Sequence, residues 1–445
     1  MSDQVLLFTN RHQPIVKRLL PPVLLALCVA CCAGCEVPIA NFQPNLVQAK
    51  LLAEKNSIDM DPAVRETQLA LEELFGTPDE PKWPAAFADD ETLDGLVSLE
   101  RLRSAAGPVR SDEKDRHFGL YREHCVHCHG TTGNGLGPTA VFLNPYPRDF
   151  RLGVYKFKST PFGRKPTRRD LTRTLREGIM GTSMPSFGLL KEEQIDALVD
   201  YAIYLSVRGE TERKLLTEAA ELDFTAEEHL FTPSLQESAP EDFADQMDVI
   251  NEIAIGIAEG WQNADAQALS VPEPTADYPL FTRDAQGSAE VREKLSVSIA
   301  TGRKIFHGNV ANCATCHGST GLGDGQKNDY DAWTKDWLQP LSLDPKDSQQ
   351  IAPFLKLGAL KPRNILPRNL RSGIYRGGSQ PIDIYLRIVL GIDGTTMPAA
   401  AMQPDNPLGL TTDEVWDVVN YVLSLPYEHI NNASASVPPF ARENP

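Results

Sequence analysis

A Cys-x-x-Cys-His element occurs twice in this chain, and the residues that follow it repeat as well. The first copy reads Cys125-Val-His-Cys128-His129-Gly and runs into Thr-Thr-Gly-Asn-Gly-Leu-Gly. The second reads Cys313-Ala-Thr-Cys316-His317-Gly and runs into Ser-Thr-Gly-Leu-Gly-Asp-Gly. Pro147-Arg148-Asp149-Phe150-Arg151 is answered by Pro367-Arg368-Asn369-Leu370-Arg371. Gly178-Ile-Met-Gly-Thr-Ser-Met184-Pro185 is answered by Gly391-Ile-Asp-Gly-Thr-Thr-Met397-Pro398. Each copy closes on apolar residues spaced three and four apart, which predicts one buried helix face. These are Ile195, Leu198, Val199, Ala202 and Leu205, then Val415, Val418, Val419, Val422 and Leu425. Such a chain is an internal duplication and has to fold as two similar units. Thr412 is expected to cap the second of these helices. The second copy is longer, mostly between residues 326 and 360, where Trp333 and Trp337 are expected to cap a core.

Cys-x-x-Cys-His is the attachment signature of c-type haem. Both thiols add to the haem vinyl groups, and the adjacent histidine reaches the iron. A zinc site would pool the four cysteines into one tetrahedron, but it leaves both histidines and both Gly-Thr-x-Met-Pro elements without a purpose. A thioredoxin-like pair lacks its βαβ surroundings. A thioether opposite histidine raises the haem potential, so the sixth ligand is expected from a methionine. The repeat selects which one: Met184 matches Met397, whereas Met180 matches Asp393 and Met402 matches Leu189.

On these motifs each copy resembles a class I cytochrome c domain, over residues 111–208 and 296–429. The resemblance implies a mainly α fold with two cytochrome c-like domains and two covalently bound haem c groups. It implies thioether bonds to Cys125, Cys128, Cys313 and Cys316. It also implies axial ligation by His129 and Met184 in one domain and by His317 and Met397 in the other. In that family a proline after the Gly-rich loop offers its carbonyl to the proximal imidazole. Pro138 fits that place, and the second copy has Gln326 there. Arg148 and Arg368 recur in both copies, and are expected either to pair with haem propionates or to brace their loops.

Extra helices are expected at the N-terminus, within 36–110, and in the interdomain segment 209–295. Asp61-Pro62 starts one that ends at Gly76, and Phe243 to Trp261 carries another apolar face. Residues 430–445 read as a tail. At the start of the chain Arg11, Lys17 and Arg18 precede an apolar stretch, Leu19–Ala33. That stretch is shorter than the roughly 20 residues of a membrane span. Cys32-Ala33-Gly34-Cys35 resembles the lipobox of bacterial lipoproteins, which implies a signal peptide over 1–34 and lipidation of Cys35. The expected location is therefore the periplasmic side of a bacterial membrane, held by a lipid anchor.

The formal net charge is −17, which argues against sequence-independent nucleic-acid binding. Charge is also uneven. Residues 148–176 carry ten Lys or Arg against two Asp, whereas residues 210–280 carry 17 acids against two bases. Three readings of the basic stretch stand: a surface that steers an acidic redox partner, a solvated face, or a docking site for the chain's own acidic segment. Two saturated irons leave no open position for a small-molecule substrate, so the chain is expected to transfer single electrons between redox protein partners and not to be an enzyme. The alternatives are a di-haem peroxidase with one labile methionine, or a cytochrome subunit docked in a larger respiratory or dehydrogenase complex.

Overall fold

The computed structural model describes residues 40–428, except 89, 94, 227, 275–277, 282–287 and 404, and the side chains of 88 and 91. Cys35, the leader and the tail 430–445 lie outside the described residues. Helices account for nearly all the regular structure. Two two-stranded antiparallel ladders interrupt them, with Arg110 opposite Phe118 and Asp329 opposite Ile365.

The N-terminal extension supplies α1 (Leu46–Asn56), α2 (Asp61–Phe75) and α3 (Leu99–Ala105). In α2, Pro62 occupies the first turn, where its missing N–H costs nothing, and Gly76 ends the helix. The first copy contributes α4 (Leu120–His124), α5 (Val126–His129), α6 (Arg168–Glu177) and α7 (Glu192–Ala219). The boundary expected at 208 falls inside α7, because Leu215, Leu216 and Ala219 continue its buried stripe beyond that residue. The acidic segment forms α8 (Pro240–Gln262), which buries Ile250, Ala254, Ala258 and Trp261. The second copy contains α9 (Ala289–His307), α10 (Cys313–His317), α11 (Ala332–Leu338), α12 (Ser348–Lys356), α13 (Pro381–Leu390) and α14 (Thr412–Ser424). The cap of α14 is Thr411, not Thr412: its hydroxyl accepts from Glu414 N while the Glu414 carboxylate accepts from Thr411 N.

One core joins the first copy to both extra segments, with Leu71, Leu74 and Phe75 of α2, Leu102 of α3, and Ile250 and Ala254 of α8 against α7. Each large side chain so buried contributes about 1.5–3 kcal/mol, so these helices stabilise the first copy. The second copy has its own core around Phe306, Tyr385, Val415, Val418 and Tyr421. Matching aromatic pairs fasten the two helix crossings. The Tyr121 and Tyr201 rings lie 4.8 Å apart, and those of Phe306 and Tyr421 lie 5.3 Å apart. In the insertion, Trp337 stacks on Phe354 at 5.2 Å in a small core with Leu51. Trp333 does not cap a core; it points into the site described below.

The two copies meet reciprocally. A Cβ on Gly181 would fall 2.8 Å from Ile374, and one on Gly394 would fall 3.4 Å from Val154. Gly181 and Gly394 are equivalent in the repeat, as are Val154 and Ile374, so the seam approximates a two-fold relation. Polar contacts lock it: Lys158 to Asp393 at 2.8 Å, Arg173 to Asp383 at 2.7 Å, and Arg387 Nη1 donating to Lys156 O at 3.0 Å.

Candidate functional site

Each Cys-x-x-Cys-His element forms a short helix, α5 with its preceding Cys125 or α10, that turns the cysteines and the histidine toward the interior. Burial pushes the Cys125 thiol up to about 12 and the Cys313 thiol up to about 11. Reactive dithiol pairs work the other way, with a thiolate favoured by a lowered value, so these are not thioredoxin-like. Among the described residues no group of three or more His, Cys, Asp or Glu is placed to hold a metal ion, which removes the zinc reading.

The two imidazoles are held identically. His129 Nδ1 donates to the Arg148 carbonyl at 3.0 Å, and His317 Nδ1 donates to the Arg368 carbonyl at 3.1 Å. A carbonyl can only accept, so Nδ1 carries the proton and Nε2 keeps the lone pair. Burial lowers the pKa of both rings, that of His129 to about 4, so each stays neutral near pH 7. Phe150 stacks on His129 at 4.7 Å. This corrects the role expected of Pro138. The Pro-Arg element, present in both copies, supplies the orienting carbonyl, which also removes the difficulty of Gln326.

Both methionines sit in the same turn. Met184 N donates to Thr182 Oγ1 and Met397 N to Thr395 Oγ1, each at 3.1 Å. The Met184 carbonyl accepts from Ile179 N and the Met397 carbonyl from Ile392 N. Gly178 and Gly391 open these turns at φ 69° and 68°. A Cβ at either would fall within 2.8 Å of the backbone after the methionine, so only glycine fits.

The thiols, the imidazoles and the two methionines all line one continuous cavity of about 960 Å³. Met180 and Met402 are not on its wall, in keeping with the repeat. Trp333 reaches the same wall from the second copy's insertion. Its ring lies 3.5 Å from the Arg148 guanidinium, and its indole N–H donates to Asp149 O at 3.4 Å. Arg368 Nε donates to Ile374 O at 2.9 Å, so that side chain does brace its loop. Sequence reasoning missed Lys156 and Arg376, which also line the cavity. The signal was in the repeat: Gly153-Val-Tyr-Lys156 matches Gly373-Ile-Tyr-Arg376.

The basic stretch resolves into three groups. Six of its cations have acid partners: Arg151 with Asp149, Lys158 with Asp393, Lys165 with Glu210, Arg168 with Asp200, Arg173 with Asp383 and Arg176 with Glu192. Arg148 and Lys156 face the cavity. Arg164 and Arg169 are left on the surface. Of the ten cations, two therefore remain both exposed and without an acid partner among the described residues. Among the described residues Glu210 is the acid of the acidic segment that pairs with the stretch; the Trp261 indole N–H donates to that carboxylate at 3.0 Å, and Leu269 N donates to Ser159 O at 2.8 Å.

The cavity fits the prosthetic group the motifs imply: two thiols per copy for two thioether bonds, a free imidazole nitrogen, and apolar walls. Comparison with known proteins agrees. Residues 112–201 match the family described as cytochrome c oxidase, cbb3-type, subunit III, and residues 299–426 match cytochrome c. No curated protein matches the chain. One solved structure resembles it, a chain of the Kuenenia stuttgartiensis reducing HAO-like protein complex Kustc0457/Kustc0458. It is 24% identical with a TM-score of 0.39, over 71% of this chain and 97% of that one. Two attachment motifs on one cavity wall, each within a stretch that matches a cytochrome family, make the chain a di-haem member of the c-type cytochromes, with two covalently bound haems.

Proposed function

We propose that the protein is a one-electron carrier in which His129 and Met184 ligate one iron and His317 and Met397 the other. The observation that carries this reading is the shared cavity: each methionine lines the same wall as its imidazole, in a turn that is hydrogen-bonded identically in both copies. Haem iron supplies a one-electron couple. The chain's own part is to saturate the iron, fix the imidazole through the Arg148 and Arg368 carbonyls, and limit water to the mouth of the cavity. A saturated low-spin site reorganises little on electron transfer and leaves no position for peroxide. With Cys125, Cys128 and His129 on the same cavity as Cys313, Cys316 and His317, both haems would be held along one cavity, and redox protein partners or a respiratory complex would exchange electrons at its mouth. The leader and Cys35 support export and a lipid anchor on the periplasmic side of a bacterial membrane.

The test is carbon monoxide binding to the reduced holoprotein, matured in a host that attaches c-type haem, with haem counted per chain. Two haems and no spectral shift support the carrier. A carbon monoxide-binding haem with peroxide turnover would replace it with the peroxidase reading.

A further inference from the structure

Five cations line the wall of the shared cavity without an acid of their own. One, Arg387, gives its guanidinium to the Lys156 and Lys158 carbonyls. The other four are Arg148 and Lys156 of the first copy and Arg368 and Arg376 of the second. They are two matched pairs, at the same two positions of the repeat. Each pair lies where its Pro-Arg element also fixes the imidazole. The four are also neighbours across the seam: Arg148 and Arg376 both act on Lys156 as like charges, and Arg368 acts on Arg376. Among the described residues none has a carboxylate within 4.0 Å. Arg376 Nε is a buried donor with no acceptor. The acids whose charge acts on Arg148 are Asp331, Asp149 and Asp393, and Asp331 also acts on Lys156. All three are engaged elsewhere. Asp331 caps α11, Asp149 holds Arg151 and Asp393 holds Lys158. Burial drives Lys156 down to about 7 and both Arg148 and Arg376 to about 10. Like charges are not gathered on a half-buried wall unless something anionic joins them.

Each c-type haem carries two propionate carboxylates, so two haems bring four. We propose that Arg148 with Lys156, and Arg368 with Arg376, form one cluster that takes the propionates of both haems at the seam, with Trp333 as the residue that positions the first pair. This rests on the di-haem reading. Trp333 fits its part because it lies over both cations of that pair, 3.5 Å from Arg148 and 5.4 Å from Lys156, and is itself tied to Asp149 O. Arginine and lysine suit this work differently. The guanidinium offers a planar fork to a carboxylate, and the ammonium a point charge.

The experiment is an optical redox titration of the holoprotein from pH 5 to pH 8, with haem counted per chain. In the native protein both potentials are expected to stay level across that range, since paired propionates remain ionised. Lys156→Met should lower the reduction equilibrium of the first haem about tenfold, or about 59 mV for one electron, because a cation favours the reduced, more negative state. It should also make that potential fall with rising pH, as a propionate without its partner takes up a proton at the acid end. Lys156→Arg should restore the native behaviour. Arg376→Met and Arg376→Lys should do the same at the second haem. Trp333→Leu keeps both cations, and should shift only the first haem, by a few-fold. Potentials in the methionine variants within twofold of native and level in pH, with two haems per chain, would overturn the proposal. So would a native potential wave near pH 7 that Lys156→Met abolishes, since that is a lysine titrating with no carboxylate beside it. A native chain carrying fewer than two haems would instead strike the di-haem reading.

Discussion

Lys158 Nζ lies 2.8 Å from Asp393 Oδ2, in an ion pair whose side chains are only 3% and 7% exposed. The lysine comes from the basic stretch of the first copy, and the aspartate from the methionine turn of the second. Asp393 also accepts from Gly163 N at 2.8 Å, and Lys158 donates to Pro161 O. The seam between the copies is thus fastened beside Met397. Asp393→Ala leaves a buried ammonium without its counter-charge, which costs about 3–5 kcal/mol. Denaturant unfolding followed at the second haem should show that loss.

Replacing one methionine should open one iron. Met184→Ala is expected to give a holoprotein with two haems, one of which binds carbon monoxide when reduced. Its potential should fall, because the thioether is what raises it. The haem held by His317 should keep its spectrum. Met180→Ala, at an exposed residue off the cavity wall, should change neither.

Acid should reach His129 late. Burial alone holds the uncoordinated ring near 4, below the ordinary 6.5, because it disfavours the imidazolium. In the holoprotein the proton must in addition displace iron from Nε2. Circular dichroism and the haem spectrum, titrated together, should therefore stay native through pH 6.5 and fail together at or below about pH 4.

The crossing of α9 over α14 depends on one missing side chain. A Cβ on Gly302 would fall 1.9 Å from the Asp417 carbonyl oxygen, which belongs to a helix backbone and cannot swing aside. Gly302→Ala should cost about 1–3 kcal/mol or more by forcing the helices apart. Gly256→Ala is the control. It sits in α8 with nothing within 4 Å of the new methyl, so it should stabilise by about 0.5–1 kcal/mol through helix propensity. Thermal unfolding of both variants checks the contrast.

Surface charge reversal should have little effect on partner kinetics except through Arg164 and Arg169. Reversing those two tests what remains of a steering role through the salt dependence of reduction rates. Reversing Arg168 instead puts an acid against Asp200, which is fully buried and also accepts from Ser98 N and Arg101 Nε. That variant should lose stability.

The repeat, read alone, already contained the two copies and the matching of Met184 to Met397, with no such match for Met180 or Met402, and the resemblance of its motifs to cytochrome c implied the mainly α fold. Those are matters of spacing and of chemistry between near neighbours, and spacing is what a sequence records. The helix faces of α2, α7, α8 and α14 were legible for the same reason, since periodicity sets which residues share a face. Tertiary structure decided the rest. Only folding brings the Arg148 carbonyl to His129 in place of Pro138, presses Trp333 of one copy onto Arg148 of the other, and sets Lys158 against Asp393. Those partners are remote along the chain, and hydrogen bonds and ion pairs depend on distances of a few ångströms that no local pattern encodes. The fate of the ten cations shows the difference. Composition displays them as one patch, and only packing separates six that are neutralised by acids, two that face the cavity and two left to solvent.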